Sequence, residues 1–270
     1  MKSDIRQTVP PSKLYKFRSM RGEARERVRD ILLQNRLFFP TRLGFNDPFD
    51  CRIPLSWDGA TLDEMERKLL DVYRRNPPKG WNGSIEEFVR EQRANGSIAE
   101  LARSNLGPIV TERRLDNLRV LCLCERPDDI LMWSHYASNH EGICLEFNVI
   151  KESYFSGAVR VIYADDYPKL KVTMGTKELA NGMVLTKAKH WAYESEWRVL
   201  CVDEPGLQDF PKECLSGVIL GCKISEENRK PIREWLSQRA TFATLYSAVK
   251  SQDKFAVRIE NTEDIGPPVM

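Results

Sequence analysis

Near the start of the chain, apolar and polar residues alternate. Tyr15 and Phe17 are interleaved with Lys16 and Arg18 in Leu14-Tyr15-Lys16-Phe17-Arg18, the period of a strand. Val28, Ile31 and Leu32 then stand at i, i+3 and i+4, with arginines at 21, 25, 27 and 29 on other faces. That spacing predicts a helix, and Asn35 is its stop. Leu37-Phe38-Phe39 gives a short strand before Pro40, and Gly44-Phe45-Asn46-Asp47-Pro48-Phe49-Asp50 has the Asn/Asp-Pro chemistry of a loop.

The middle of the chain changes period. Thr61 with Glu64, Ser84 with Glu87 and Ser97 with Glu100 each fit a capping box, in which hydroxyl and carboxylate satisfy opposite free N–H groups. Leu62, Met65, Leu69 and Val72 follow the first at helical spacing, and Ile85, Phe88 and Val89 follow the second. Residues 60–117 are therefore expected to be a helical insertion, laid over a sheet. Strands are expected at Arg119–Cys124, Gly142–Asn148, Ala158–Tyr163, Ser195–Val202, Gly217–Leu220, Phe242–Val249 and Lys254–Ile259. Helices are expected at 128–138, at 176–190 and after Ser225. The order predicts an α+β fold with a mixed or antiparallel sheet, as a single domain over 1–270.

Composition narrows the class. With 41% hydrophobic and 30% charged residues over 270 positions, the chain can bury a core without a metal or disulfide staple. It is neither disordered nor of low complexity. Forty-one Lys and Arg against 39 Asp and Glu leave a formal +2, far from the imbalance of a DNA-coating protein. No apolar run approaches the ~20 residues of a membrane span, and the first residues lack a signal-peptide core. The seven cysteines are an odd number, mostly inside apolar runs, which points to free thiols, a reducing compartment and a cytoplasmic protein.

Two stretches concentrate chemistry. His190-Trp191-Ala192-Tyr193-Glu194-Ser195-Glu196-Trp197-Arg198 places two carboxylates two residues apart at a strand mouth, where both are expected on one sheet face. One of such a pair can stabilise a cationic sugar carbon while the other handles a proton. The alternative is a strand edge whose glutamates face water or meet Lys187, Lys189 or Arg198. Met132-Trp133-Ser134-His135-Tyr136 runs on to His140 and a buried strand. Trp133 and Tyr136, at i and i+3, either stack a planar ring or join the core. Arg18 at a strand end suits a pyrophosphate or remains a surface cation. A zinc site would need His135, His140 and His190 together, an arrangement the spacing does not provide, so no metal is expected. No phosphate loop, dinucleotide-binding glycine fingerprint, nucleophile elbow or Cys-x-x-Cys pair is present in the sequence.

Taken together, the segments at 14–18, 45–50, 132–136, 140–147 and 191–198 resemble the bacterial domain-of-unknown-function family numbered twenty-nine seventy-one, which carries no established activity. More distantly, a first strand with Tyr and Arg, the helix ending Ile31-Leu32-Leu33-Gln34-Asn35-Arg36-Leu37, a short strand and a late E-x-E resemble the ADP-ribosyltransferase superfamily. That resemblance implies cleavage of the nicotinamide–ribose bond of NAD and transfer of ADP-ribose to a macromolecular acceptor, protein or nucleic acid, in a defence or toxin setting. It implies Glu196 as the catalytic carboxylate and Glu194 as the group orienting the acceptor. NAD would lie against Tyr15, Arg18, Asn46, Trp133, Ser134, Tyr136 and His140. A non-catalytic nucleotide sensor on the same fold is the alternative. A metal-dependent nuclease of phage defence, using Asp47, Asp50, Glu194 and Glu196, is another.

Overall fold

Leu14 and Phe17, both buried, leave their strand on opposite faces, which makes it an interior strand covered on both sides. The computed structural model describes residues 9–75, 77, 78, 80–104, 118–202, 204 and 206–266. Its first elements are β1 (Lys13–Arg18), α1 (Glu23–Gln34), β2 (Arg36–Phe38), β3 (Leu55–Ser56), α2 (Leu62–Arg75), α3 (Ile85–Ala94) and α4 (98–104). There follow β4 (Leu118–Cys124), α5 (Ile130–Tyr136), β5 (Ile143–Asn148), β6 (Val159–Arg160), β7 (Ile162–Ala164), β8 (Leu170–Lys171), α6 (Thr176–Val184) and β9 (Thr186–Ala188). The last are β10 (Glu196–Val202), β11 (Leu207–Asp209), β12 (Leu215–Leu220), α7 (Glu226–Ser237), β13 (Ala243–Lys250) and β14 (Val257–Ile265).

The chain divides into two compact units. One comprises residues 1–40, 119–163 and 189–270, and the other 41–118 and 164–188. The first holds an eight-stranded sheet in the order β14-β13-β12-β5-β1-β4-β10-β6. β5 runs antiparallel to β1, from Lys13 opposite Asn148 to Arg18 opposite Ile143. The β5–β12, β10–β6 and β13–β14 pairs are antiparallel too, while β12 and β13 are parallel. The fold is α+β with a mostly antiparallel sheet.

On one sheet face α1 and α7 bury Val28, Ile31, Leu32, Ile232, Trp235 and Leu236 against Leu121, Leu145, Val218 and Leu245. Asn35 ends α1 in the left-handed region, at φ 53 and ψ 45. On the other face α5 lowers Met132 and Trp133 onto Phe17, Cys144, Ile219 and Ala248.

In the second unit Thr61 and Glu64 form the reciprocal cap. The backbone N–H of Thr61 donates to Glu64 Oε2 at 2.8 Å, and that of Glu64 to Thr61 Oγ1 at 3.2 Å. At Ser84 only half the box closes: its hydroxyl accepts from Glu87 N at 3.4 Å but donates to Glu86 instead. The apolar stripes of α2, α3 and α4 meet one another through Met65, Leu69, Val72, Val89, Ile98 and Ala102, around Trp57 and Val172. The expected helical block closes a core of its own, and residues 105–117 of it lie outside the described residues.

Two expectations on elements are corrected. The helix expected over 176–190 ends at Val184, and Thr186–Ala188 is extended. There the Lys187 side chain turns inward to Asp50, with Nζ 3.7 Å from Oδ2 and both groups buried. The strand expected at Ala158–Tyr163 is interrupted at Val161, whose backbone N–H donates to Glu196 O.

Candidate functional site

Asp129 caps α5 by accepting from Leu131 N at 2.9 Å and Met132 N at 3.0 Å. The helix thereby sets Trp133 beneath it, fully buried, edge-on to Phe17 at 5.0 Å and 89°, with Nε1 donating to Pro127 O at 2.7 Å. Trp133 is a core residue. Its other face carries His140, nearly parallel at 13° with centroids 6.3 Å apart. Ser134 Oγ, which donates to Ile130 O at 2.9 Å, lies 3.2 Å from His140 Nε2.

The turn after α5 is unusual. Ser138, Asn139 and His140 all have positive φ, at 50°, 57° and 71°. Non-glycine residues adopt this region at a cost of about 1–3 kcal/mol each, so the surroundings must over-determine it. They do. His140 N donates to Trp133 O, Lys223 N donates to His140 O, and Gly142 N donates to Ala137 O. A Cβ on Gly142 would fall 2.2 Å from Arg18 O, so the chain passes β1 too closely for any side chain there. Burial, and then the Lys223 charge, lower the pKa of His140 below its ordinary value.

Glu194 arrives differently from the way its spacing suggests. Lys189–Glu194 is a 3-10 turn, Ser195 has φ 45, and β10 begins only at Glu196. The two glutamates are therefore not successive positions on one strand face. Within this turn Trp191 and Tyr193 lie 6.0 Å apart, and both meet His135 of α5, at 6.4 and 6.2 Å. His135 in turn meets Tyr136 at 6.3 Å. Beside these four rings the buried Glu194 carboxylate accepts from Tyr136 Oη at 2.6 Å. Burial, and further the charges of Glu194 and Glu196, raise the pKa of the Cys124 thiol on the neighbouring strand.

Glu196 takes one of the partners its flanking sequence offers. Arg198 Nε donates to its Oε1 at 2.8 Å and Nη2 to its Oε2 at 3.1 Å, with Arg198 wholly buried and Glu196 only 3% exposed. Tyr15 donates to Glu146 Oε2 at 3.2 Å, and the same carboxylate takes Lys13 Nζ at 2.8 Å and Ser216 Oγ at 2.9 Å. Burial, reinforced by Glu146, raises the Tyr15 pKa. Arg18 alternates with Phe17 and so leaves β1 on the α1 side; burial, and then the Arg27 charge, lower its pKa to about 10.

The structure brings Tyr136 to Glu194, and Trp133 and Ser134 to His140. Asn46, Asp47 and Asp50 belong to the second unit, where Asp47 Oδ1 accepts from Phe49 N at 2.9 Å and so shapes its own loop. No group of three or more metal-ligating side chains occurs among the described residues. Residues 132–199 match the family described as Protein of unknown function (DUF2971). The matched segment runs from α5 into β10 and contains all four rings, Glu194, Glu196 and Arg198. No curated protein and no solved structure matches the chain. No helix among the described residues is long and apolar enough to cross a membrane.

Sequence reasoning missed Glu146 and gave Trp191, Tyr193 and Arg198 no site role. Only strand register shows that Glu146 faces Tyr15. The aromatic spacing in Trp191-Ala192-Tyr193 was the visible signal for the ring cluster.

Proposed function

We propose that the chain binds NAD by its cationic nicotinamide ring, held against His135, Tyr136, Trp191 and Tyr193, and acts on the nicotinamide–ribose bond in the manner of an ADP-ribosyltransferase. The observation that carries this reading is the buried Glu194 carboxylate, fixed by Tyr136 at 2.6 Å beside the four rings. Aromatic faces and a nearby carboxylate together favour a planar cation. Breaking the bond between N1 and ribose C1′ sends the electron pair out with neutral nicotinamide and leaves positive charge on C1′. A preoriented carboxylate stabilises that charge more than the ground state. An acceptor nucleophile on a macromolecule then adds to C1′ and loses its proton. The role implied for Glu196 passes to Glu194 in this reading, because Tyr136 holds the Glu194 carboxylate beside the rings.

A second reading, NAD binding without turnover, is favoured by the closure of Glu196 with Arg198. Calorimetric titration of NAD and chromatographic assay of released nicotinamide separate the two. Tyr193→Ala is expected to weaken NAD binding about tenfold, the loss of one cation–ring contact. Glu194→Gln is expected to retain binding and lower nicotinamide release roughly a hundredfold. Folded wild-type protein that does not bind NAD overturns both readings.

A further inference from the structure

β1 is in register with β5 at six successive positions, yet it meets β4 at one, Tyr15 opposite Cys124. Past that point the Cys122 carbonyl is taken by a side chain: Lys16 Nζ donates to it at 2.5 Å. Lys16 is half-buried, its cross-strand partner Leu145 is fully buried, and Arg18 follows two residues on along the same strand face. The Cys122 carbonyl is the one hydrogen-bond partner of the Lys16 ammonium among the described residues, and neither Lys16 nor Arg18 forms an ion pair with a carboxylate there. Two cations thus share a partly desolvated site with no carboxylate in direct contact with either, the Glu196 charge acting on Lys16 only at longer range. Physical chemistry resolves such a site by loss of the lysine proton, by capture of an anion, or by both.

We propose that Lys16 is a nucleophilic amine that forms an imine with an aldehyde or ketone bearing an anionic group, and that Arg18 holds the anion. The amine lone pair adds to the carbonyl carbon, a proton passes from nitrogen to oxygen, and water leaves as the C=N bond forms. No redox partner is needed. The electrostatics agree with the geometry. Burial and then the Arg18 charge lower the Lys16 pKa to about 7, against smaller opposing contributions from Cys122 and Cys124 of β4 and Glu196 of β10. Close to half of such amines are unprotonated at pH 7, against well under one in a thousand for an ordinary lysine. This inference stands apart from the ring cluster proposed to hold NAD and shares no residue with it.

The test is reductive trapping of the whole chain with pyridoxal 5′-phosphate or with uncharged pyridoxal, followed by borohydride and peptide mapping. At pH 7 the Lys16 peptide is expected to label at least ~10-fold faster than the other lysine peptides. The phosphorylated probe is expected to outpace pyridoxal. Arg18→Gln is expected to abolish that preference and move the pH midpoint of labelling upward. Lys16→Arg is expected to remove the fast phase, with circular dichroism confirming the fold. Lys16 labelling no faster than the other lysines of the folded wild type overturns the proposal. Equal rates for the two probes overturn the role of Arg18.

Discussion

Arg198 is the most exacting place to perturb this molecule. It has no exposed surface, and it holds a carboxylate that is itself 3% exposed through bonds of 2.8 and 3.1 Å. Desolvating each ion costs several kcal/mol, and only mutual attraction in good geometry offsets it. Arg198→Met removes the attraction and leaves Glu196 charged and buried, at an expected cost of about 3–5 kcal/mol. Against a typical total stability of about 5–15 kcal/mol, that is a large fraction. In urea titrations followed by tryptophan fluorescence, it corresponds to a midpoint lowered by about 1–2 M at unchanged slope. Glu196→Gln removes the carboxylate charge from the same pair and is expected to cost a similar amount. Glu196→Leu combined with Arg198→Met removes both members of this bidentate pair and is expected to cost clearly less than the sum of the two singles. If Arg198→Met costs less than about 1 kcal/mol, or the double variant costs the sum of the two singles, the account of this pair is wrong.

Three further outcomes follow from particular contacts. The folded-state pKa of Lys16, about 7, lies below its ordinary value of 10.5, so above pH 7 the unfolded chain holds a proton that the folded chain lacks. Stability is then expected to rise from pH 7 to 9 by about 1 kcal/mol after allowance for solvent screening, and Lys16→Met is expected to flatten that slope in urea titrations at each pH. Gly142→Ala places a methyl 2.2 Å from the Arg18 carbonyl and is expected to cost at least ~2 kcal/mol by thermal or urea denaturation. Asn35→Ala keeps a left-handed backbone without the residue type that tolerates it, an expected loss of about 1 kcal/mol by the same assays.

What the sequence made legible was local. Val28, Ile31 and Leu32 gave α1 because one face of a short helix must be apolar, and Asn35 marked its end through its tolerance of positive φ. Thr61 and Glu64 announced α2 because a cap is a contact between residues three apart. Long-range pairings were not legible. Lys187 lies in an extended segment facing Asp50 where the spacing predicts helix, and the positive φ of Ser195 removed Glu194 from the strand on which its spacing put it. The isolation of Lys16 depends on where β4 parts from β1, and register is set by neighbours distant in sequence.

The central claim is that NAD is recognised by the ring cluster around Glu194. The most direct test is nicotinamide release from NAD by wild type and by Glu194→Gln, with and without cell lysate as the source of acceptor. The account predicts release by the wild type, stimulated by lysate and reduced roughly a hundredfold in the variant. Undiminished release by a folded Glu194→Gln protein would contradict it.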